Sequence, residues 1–361
     1  MSEVVKVHPA SESASQSISE QEVEKGVLLE LDHLEMSFPV KRGIFSRTVG
    51  YTRAVNDVSF KIYEGETVGL VGESGCGKTT IGRCIVRAYD PTGGAIHYHK
   101  ADGQTLDLTE VAGAELRRAR YDIRMIFQDP YSSLNPRMTV LELITEALRS
   151  KGEHTEEERK DLAGDMLNRV GLRPEYIHRY PHAFSGGERQ RVVIARALIT
   201  NPRLVVADEA VAALDVSVRS QVLNLMEDLQ RDFDLTYLFI SHDLSVVRHS
   251  CDRVVVMYVG RIVEIADTDD LFEQPKHPYT EALLSALPID NPRQRKTRER
   301  IRLQGEVADP SNPPPGCFFH PRCRYATDVC KTDEPPLRKV NAHEVACHHA
   351  EELELAGVIA D

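Results

Sequence analysis

The stretch "GESGCGKTT", Gly72 to Thr80, constrains this chain more than any other, because it fits G-x-x-x-x-G-K-[ST] and stands where that pattern has a mechanical meaning. The β-rich run "TVGLV" leads into it and the helical run "TTIGRCIVRAY" leads out. Its glycines let the backbone curl until successive N–H groups and the start of the helix converge on a polyphosphate. In that reading Ser74, Gly75, Cys76, Gly77 and Thr80 belong to the phosphate cradle, Lys78 neutralises the β- and γ-phosphates, and Thr79 brings its hydroxyl to Mg²⁺. The expectation is an α/β nucleotide-binding protein.

The remaining apolar runs agree with an α/β core. "DIRMIFQD", "RLVVADE", "LTYLFISHD" and "RVVVMYVGRIVE" are short, β-rich and nearly continuous, as strands buried on both faces should be. "VLLELDHLEMSF" alternates instead and opens an antiparallel sheet. Several buried runs deliver a polar residue to the sheet edge where α/β proteins bind ligands. Gln128 ends one, Asp208 and Glu209 another, and His242 a third. After a phosphate loop such a carboxylate pair has an evident division of labour: Asp208 helps to hold Mg²⁺ and Glu209 polarises the attacking water. Between "IFQDP" and "RLVVADE" the Thr155/Glu158 capping box and the i, i+4, i+8 series Leu162, Met166, Val170 predict a helical insert.

With 361 residues the chain has room for one large domain or two, and its net charge of −12 argues against a nucleic-acid partner. The basic run Arg293 to Arg302 reads as a solvated linker. Residues 1–26, rich in Ser, Glu and Gln, read as a disordered tail without the features of a secretory signal, and no apolar run is long enough to span a membrane. The cytoplasm is therefore the expected compartment.

"FSGGERQRVVIARAL" adds a second helix start able to meet an anion, through Ser185, Gly186, Gly187 and Glu188. The order phosphate loop, Gln128, "SGGE", Asp208-Glu209, "ALD" and His242 resembles the nucleotide-binding subunits of ABC transporters, from about Leu29 to Cys347. The resemblance implies a cassette over residues 27–265: a RecA-like mixed-sheet core, an antiparallel β subdomain and a helical subdomain at about 130–190. It implies a head-to-tail dimer in which ATP lies between the phosphate loop of one subunit and Ser185–Glu188 of the other, with Glu209 and His242 catalytic. Gln128 then joins Thr79 and Asp208 at Mg²⁺, and Phe38 matches the adenine-stacking aromatic, with Tyr51 a second candidate beside the insertion "PVKRGIFSRTVGYT". Ala210, Val211 and Ala212 depart from the commoner Pro-Thr-Ser and leave the cross-subunit contact open.

"DPYSSLNPRMTV" and "QPKHPYTEALLSALP" narrow the resemblance to the oligopeptide/dipeptide importer branch, nearest its second ATPase subunit. That implies a paralogous ATPase partner, two transmembrane permeases, an extracytoplasmic peptide-binding protein, and a place on the cytoplasmic face of the membrane. Nickel and glutathione importers of the same branch, or a soluble ABC ATPase without permeases, are the alternatives.

Residues 266–361 hold Cys317, Cys323, Cys330 and Cys347 in a C-x5-C-x6-C-x16-C pattern, while Cys76, Cys84 and Cys251 lie scattered in the cassette. In a reducing compartment this grouping favours metal over disulfides, and by spacing alone Zn²⁺, with help from His320, His343, His348 or His349, and an iron–sulfur cluster stand level. The resemblance to the C-terminal cysteine domain of peptide-importer ATPases implies a [4Fe-4S] cluster.

Overall fold

A computed structural model of the chain describes residues 26–42, 47–287 and 301–358. The expected disordered tail, but for Gly26, and most of the basic run lie outside these residues. The described residues begin with a long antiparallel pair, β1 (Val27–Arg42) and β2 (Arg47–Tyr63), running from Val27 opposite Tyr63 to Arg42 opposite Arg47 with several shifts of register between. The turn at Glu64-Gly65 then feeds β3 (Thr67–Val71), buried along its whole length, and α1 (Lys78–Ile85) follows the phosphate loop. β4 (Gly93–His99) and β5 (Thr105–Asp107) return to this pair and complete an antiparallel sheet of order β2-β1-β4-β5. These two strands carry little apolar signal and were not expected.

After α2 (Gly113–Asp122) and β6 (Ile123–Ile126) the chain leaves the sheets for α3 (Pro130–Ser133), α4 (Val140–Lys151), α5 (Glu156–Arg169) and α6 (Gly186–Leu198). Capping boxes at Thr139/Glu142, Thr155/Glu158 and Ser185/Glu188 start α4, α5 and α6 by satisfying N–H groups that the first turn cannot. Met166 and Val170 are buried as the periodicity predicts, but Leu162 is exposed. Ala163 and Leu167 fill the core-facing stripe in its place.

β7 (Leu204–Asp208), α7 (Val216–Phe233), β8 (Thr236–Ile240), α8 (Leu244–Ser250), β9 (Arg253–Tyr258) and β10 (Arg261–Asp267) follow. "RVVVMYVGRIVE" is two strands, because Val259 and Gly260 at φ 45° and 79° fold it into a hairpin. Past α9 (Thr268–Glu273), α10 (Pro278–Ser285) and α11 (Asp328–Thr332), the short strands β11 (Arg338–Val340) and β12 (His343–Val345) come back to the core. The second sheet has the order β11-β12-β10-β9-β3-β8-β7-β6. Its pairs from β9 to β6 are parallel, and β10, β12 and β11 extend it antiparallel.

Alternation along these strands divides the interior. Val205, Ala207, Tyr237, Phe239, Val254 and Val256 face one apolar cluster, which includes the helices α4 to α6. Leu204, Val206, Leu238, Ile240, Val255 and Met257 face the other, which includes α1 and the antiparallel sheet. Both faces of the sheet are therefore covered, the condition under which strands read as unbroken apolar runs. The expected boundary at 265/266 falls inside β10, and the residues beyond it add two strands to the same sheet, with Glu264 opposite Val345 and Ala346 N–H donating to Val263 at 2.9 Å.

Candidate nucleotide site

The glycines of the loop are dictated by how closely it passes other backbone. At Gly72, φ 148°, a Cβ would sit 2.2 Å from the Met257 carbonyl oxygen of β9. At Gly77, φ 109°, it would sit 2.1 Å from the Ala54 carbonyl oxygen of β2. A side chain at either place would force the loop off the strand it passes. Gly77 is also the N-cap of α1, and no side chain caps that helix, so its first N–H groups keep their capacity for an anion. Ser74 and Gly75 are exposed at the crown of the loop and Thr80 is half-buried. Lys78 turns inward: Nζ donates to the carbonyls of Gly72 at 2.7 Å and Glu73 at 3.0 Å. Burial pushes the Cys76 thiol up, and its Sγ accepts from Lys78 Nζ at 3.6 Å.

At the next strand ends the expected polar residues meet. Thr79 Oγ1 donates to Asp208 Oδ1 at 2.8 Å. Burial raises the pKa of Asp208, and the Thr79 hydroxyl opposes that shift. Glu209 is held between two partners, its Oε2 accepting from Gln128 Nε2 at 2.5 Å and its Oε1 lying 3.0 Å from His242 Nδ1. Its backbone is left-handed, φ 47°, a conformation that costs a non-glycine residue about 1 kcal/mol. The Glu209 N–H bond to Ile240 at 2.9 Å helps to hold it there. Of the residues expected around Mg²⁺, Thr79 and Asp208 are together, while Gln128 is engaged with Glu209.

Ser185–Glu188 form no hydrogen bond with the phosphate loop among the described residues. They close on themselves: Glu188 Oε2 accepts from the Ser185 N–H at 2.9 Å and hydroxyl at 2.8 Å, and these bonds hold the Glu188 carboxyl below its usual range. Ser185 is exposed, and Gly186 and Gly187 are half-buried. Gly187 has a steric reason of its own, since a Cβ there would meet Val218 of α7 at 2.5 Å. Ala210 and Val211 are buried in the core and Ala212 is exposed.

The two aromatic candidates differ in freedom. Phe38 packs edge-on against Tyr89, ring centroids 5.4 Å apart, whereas Tyr51 is 60% exposed on β2. Tyr51→Ala is expected to raise the KM for ATP about tenfold with little change in melting temperature, since base stacking on an aromatic is worth about 1–3 kcal/mol. An unchanged KM would remove Tyr51 from the site.

Cys317, Cys323, Cys330 and Cys347 line one small void together with His320, His348 and His349. Burial first, and the neighbouring thiols after it, push Cys323 up to about 11 and Cys347 up to about 12, and Cys317 is raised for the same reasons. His343 lies apart, its Nδ1 2.7 Å from the buried Glu264. Among the described residues no three His, Cys, Asp or Glu side chains are grouped closely enough to hold a single metal ion. The four cysteines thus share one void, but the expected metal centre has no support in their arrangement.

Residues 55–212 match the ABC transporter family, and residues 263–330 match the C-terminal region of oligopeptide/dipeptide transporters. The oligopeptide transport ATP-binding protein AppF of Bacillus subtilis (strain 168) is 50% identical over 89% of this chain and 97% of its own length. The chain belongs to the oligopeptide/dipeptide ABC transporter ATP-binding subunits. The dipeptide transport ATP-binding protein DppF of Escherichia coli (strain K12) is 48% identical over 89% of the ABC subunit described here and 93% of its own length. Among solved structures, the post-hydrolysis dimer of the ATP-binding cassette MJ0796 bound to ADP and Pi is 28% identical with a TM-score of 0.58, covering 67% of this subunit and 99% of that chain.

What sequence reasoning missed in this ABC subunit is the support of Glu73. Its N–H donates to Tyr279 Oη at 2.8 Å, and its carboxylate is paired with Arg322. No local pattern announces a contact across 249 residues.

Proposed function

We propose that this ABC subunit binds ATP on the 72–80 loop and hydrolyses it to drive peptide import across the cytoplasmic membrane, working from the cytoplasmic face. The observation that carries the reading is Glu209, set between Gln128 and His242 and next in sequence to the Thr79–Asp208 pair. Lys78 and the uncapped start of α1 receive the phosphates. The oxygens of Thr79 and Asp208 are hard donors suited to Mg²⁺, which when bound offsets charge on the β- and γ-phosphates. Glu209 accepts a hydrogen bond from the attacking water and orients it, and His242 fixes the carboxylate. No helix among the described residues is long and apolar enough to cross a membrane.

Ser185–Glu188, self-capped and without a bond to their own phosphate loop, serve the loop of a partner subunit in this reading, and that partner is a paralogous ATPase. The transporter further comprises two permeases and an extracytoplasmic peptide-binding protein. The isolated chain is then a poor ATPase. Turnover measured against protein concentration, with and without the paralogue and permeases, tests this: full activity at every concentration in the lone chain overturns the shared-site reading.

The four thiols around one void are the proposed ligands of a [4Fe-4S] cluster, with Zn²⁺ the alternative. Protein purified without oxygen is expected to be brown and to hold about four irons and four sulfides per chain, as Cys₄ ligation of that cluster requires. One zinc per colourless chain would favour the ion.

A further inference from the structure

Glu73 places a carboxylate inside a loop whose ligand is a polyphosphate. Left uncompensated, that charge repels the ligand. Arg322 meets it with a two-pronged bond, Nη1 to Oε2 at 2.7 Å and Nη2 to Oε1 at 3.1 Å, and the guanidinium-bearing side chain is only 8% exposed. Glu73 is also held through its backbone, its N–H donating to Tyr279 Oη at 2.8 Å. Tyr279 is fully buried and packs on Tyr258 and Phe319, with ring centroids 4.8 and 5.4 Å away. Glu73 in turn offers its carbonyl to Lys78 Nζ at 3.0 Å. One residue thus links the phosphate-binding lysine to two side chains from beyond the cassette.

We propose that Arg322 and Tyr279 are positioning residues for nucleotide binding: Arg322 cancels the Glu73 charge, Tyr279 orients the Glu73 peptide, and together they set the loop for a polyphosphate. The C-terminal region thereby controls the affinity of a site that it does not itself line. This rests on the reading of the 72–80 loop as the ATP site.

The test is binding of a fluorescent ATP analogue, and of its ADP counterpart, to the full-length chain, with melting temperature recorded for each variant. Arg322→Gln, which keeps the bulk of the side chain and bares the carboxylate, is expected to weaken ATP binding about tenfold, the scale of one lost charge-assisted hydrogen-bonded pair. The loss should be smaller for ADP, because repulsion grows with phosphate charge. Adding Glu73→Gln to Arg322→Gln removes the repelling charge and should bring ATP affinity back to within about threefold of wild type. Tyr279→Phe removes one hydroxyl from an otherwise intact ring cluster and should weaken ATP about threefold. Wild-type affinity in Arg322→Gln overturns the proposal. So does an equal loss for ATP and ADP that Glu73→Gln does not repair, since that is the mark of mere destabilisation. Lys78→Ala serves as the control: if it binds as wild type, the ATP-site reading itself fails, whereas its failure to bind beside a normal Arg322→Gln refutes only the positioning role.

Discussion

Glu209→Gln is expected to stop ATP turnover, by about 10²- to 10⁴-fold, while nucleotide still binds. The amide is nearly isosteric with the carboxylate, so the contacts with Gln128 at 2.5 Å and His242 at 3.0 Å lose charge before they lose shape. What disappears is the acceptor strength needed to polarise water. The left-handed backbone at φ 47° strengthens the argument, since a strained residue retained beside two polar partners is a placed one. Phosphate release in the assembled transporter and equilibrium binding of ATP should be measured together. A variant that hydrolyses at the wild-type rate would remove Glu209 from the chemistry.

Lys78→Ala should act one step earlier, weakening ATP binding about a hundredfold as several charge-assisted bonds to phosphate are lost. Nζ already donates to the Gly72 and Glu73 carbonyls, so the ammonium is held in the loop by the protein's own backbone. Lys78→Arg is the informative companion: a broader planar fork does not fit the place where a buried point charge sits. It should fail to restore affinity. Binding that ignores both substitutions would mean that the loop does not hold the phosphates.

Legibility in the sequence followed how local each cause was. The phosphate loop was readable because strand, glycines, lysine and helix are consecutive, and the clashes at Gly72 and Gly77 account for the pattern atom by atom. The capping box at Thr155 was equally plain, being a contact between residues three apart. Leu162 misled because a spacing rule cannot tell the centre of an apolar stripe from its margin. The hairpin of β9 and β10 was hidden in one apolar run, with Gly260 its sole break. β11 and β12, three residues each, have too little length to show a period; β12 is a strand because β10 offers it an edge, and β11 because β12 does. The Arg322–Glu73 pair is set entirely by tertiary structure.

The position of β3 in its sheet has a consequence for synthesis. Its two neighbours, β8 and β9, are made long after it, and the Thr67 N–H that opens β3 waits for Asp252, 185 residues later. A ribosome adding about 5–20 residues per second leaves this largely apolar strand without either partner for roughly ten seconds or more. During that interval the backbone groups on both of its edges have no ladder partner. Nucleotide cannot rescue the nascent chain, because a ligand stabilises only a state that already has its site. The last of these links, Arg322 on Glu73, can form only when about nine-tenths of the polypeptide has been made.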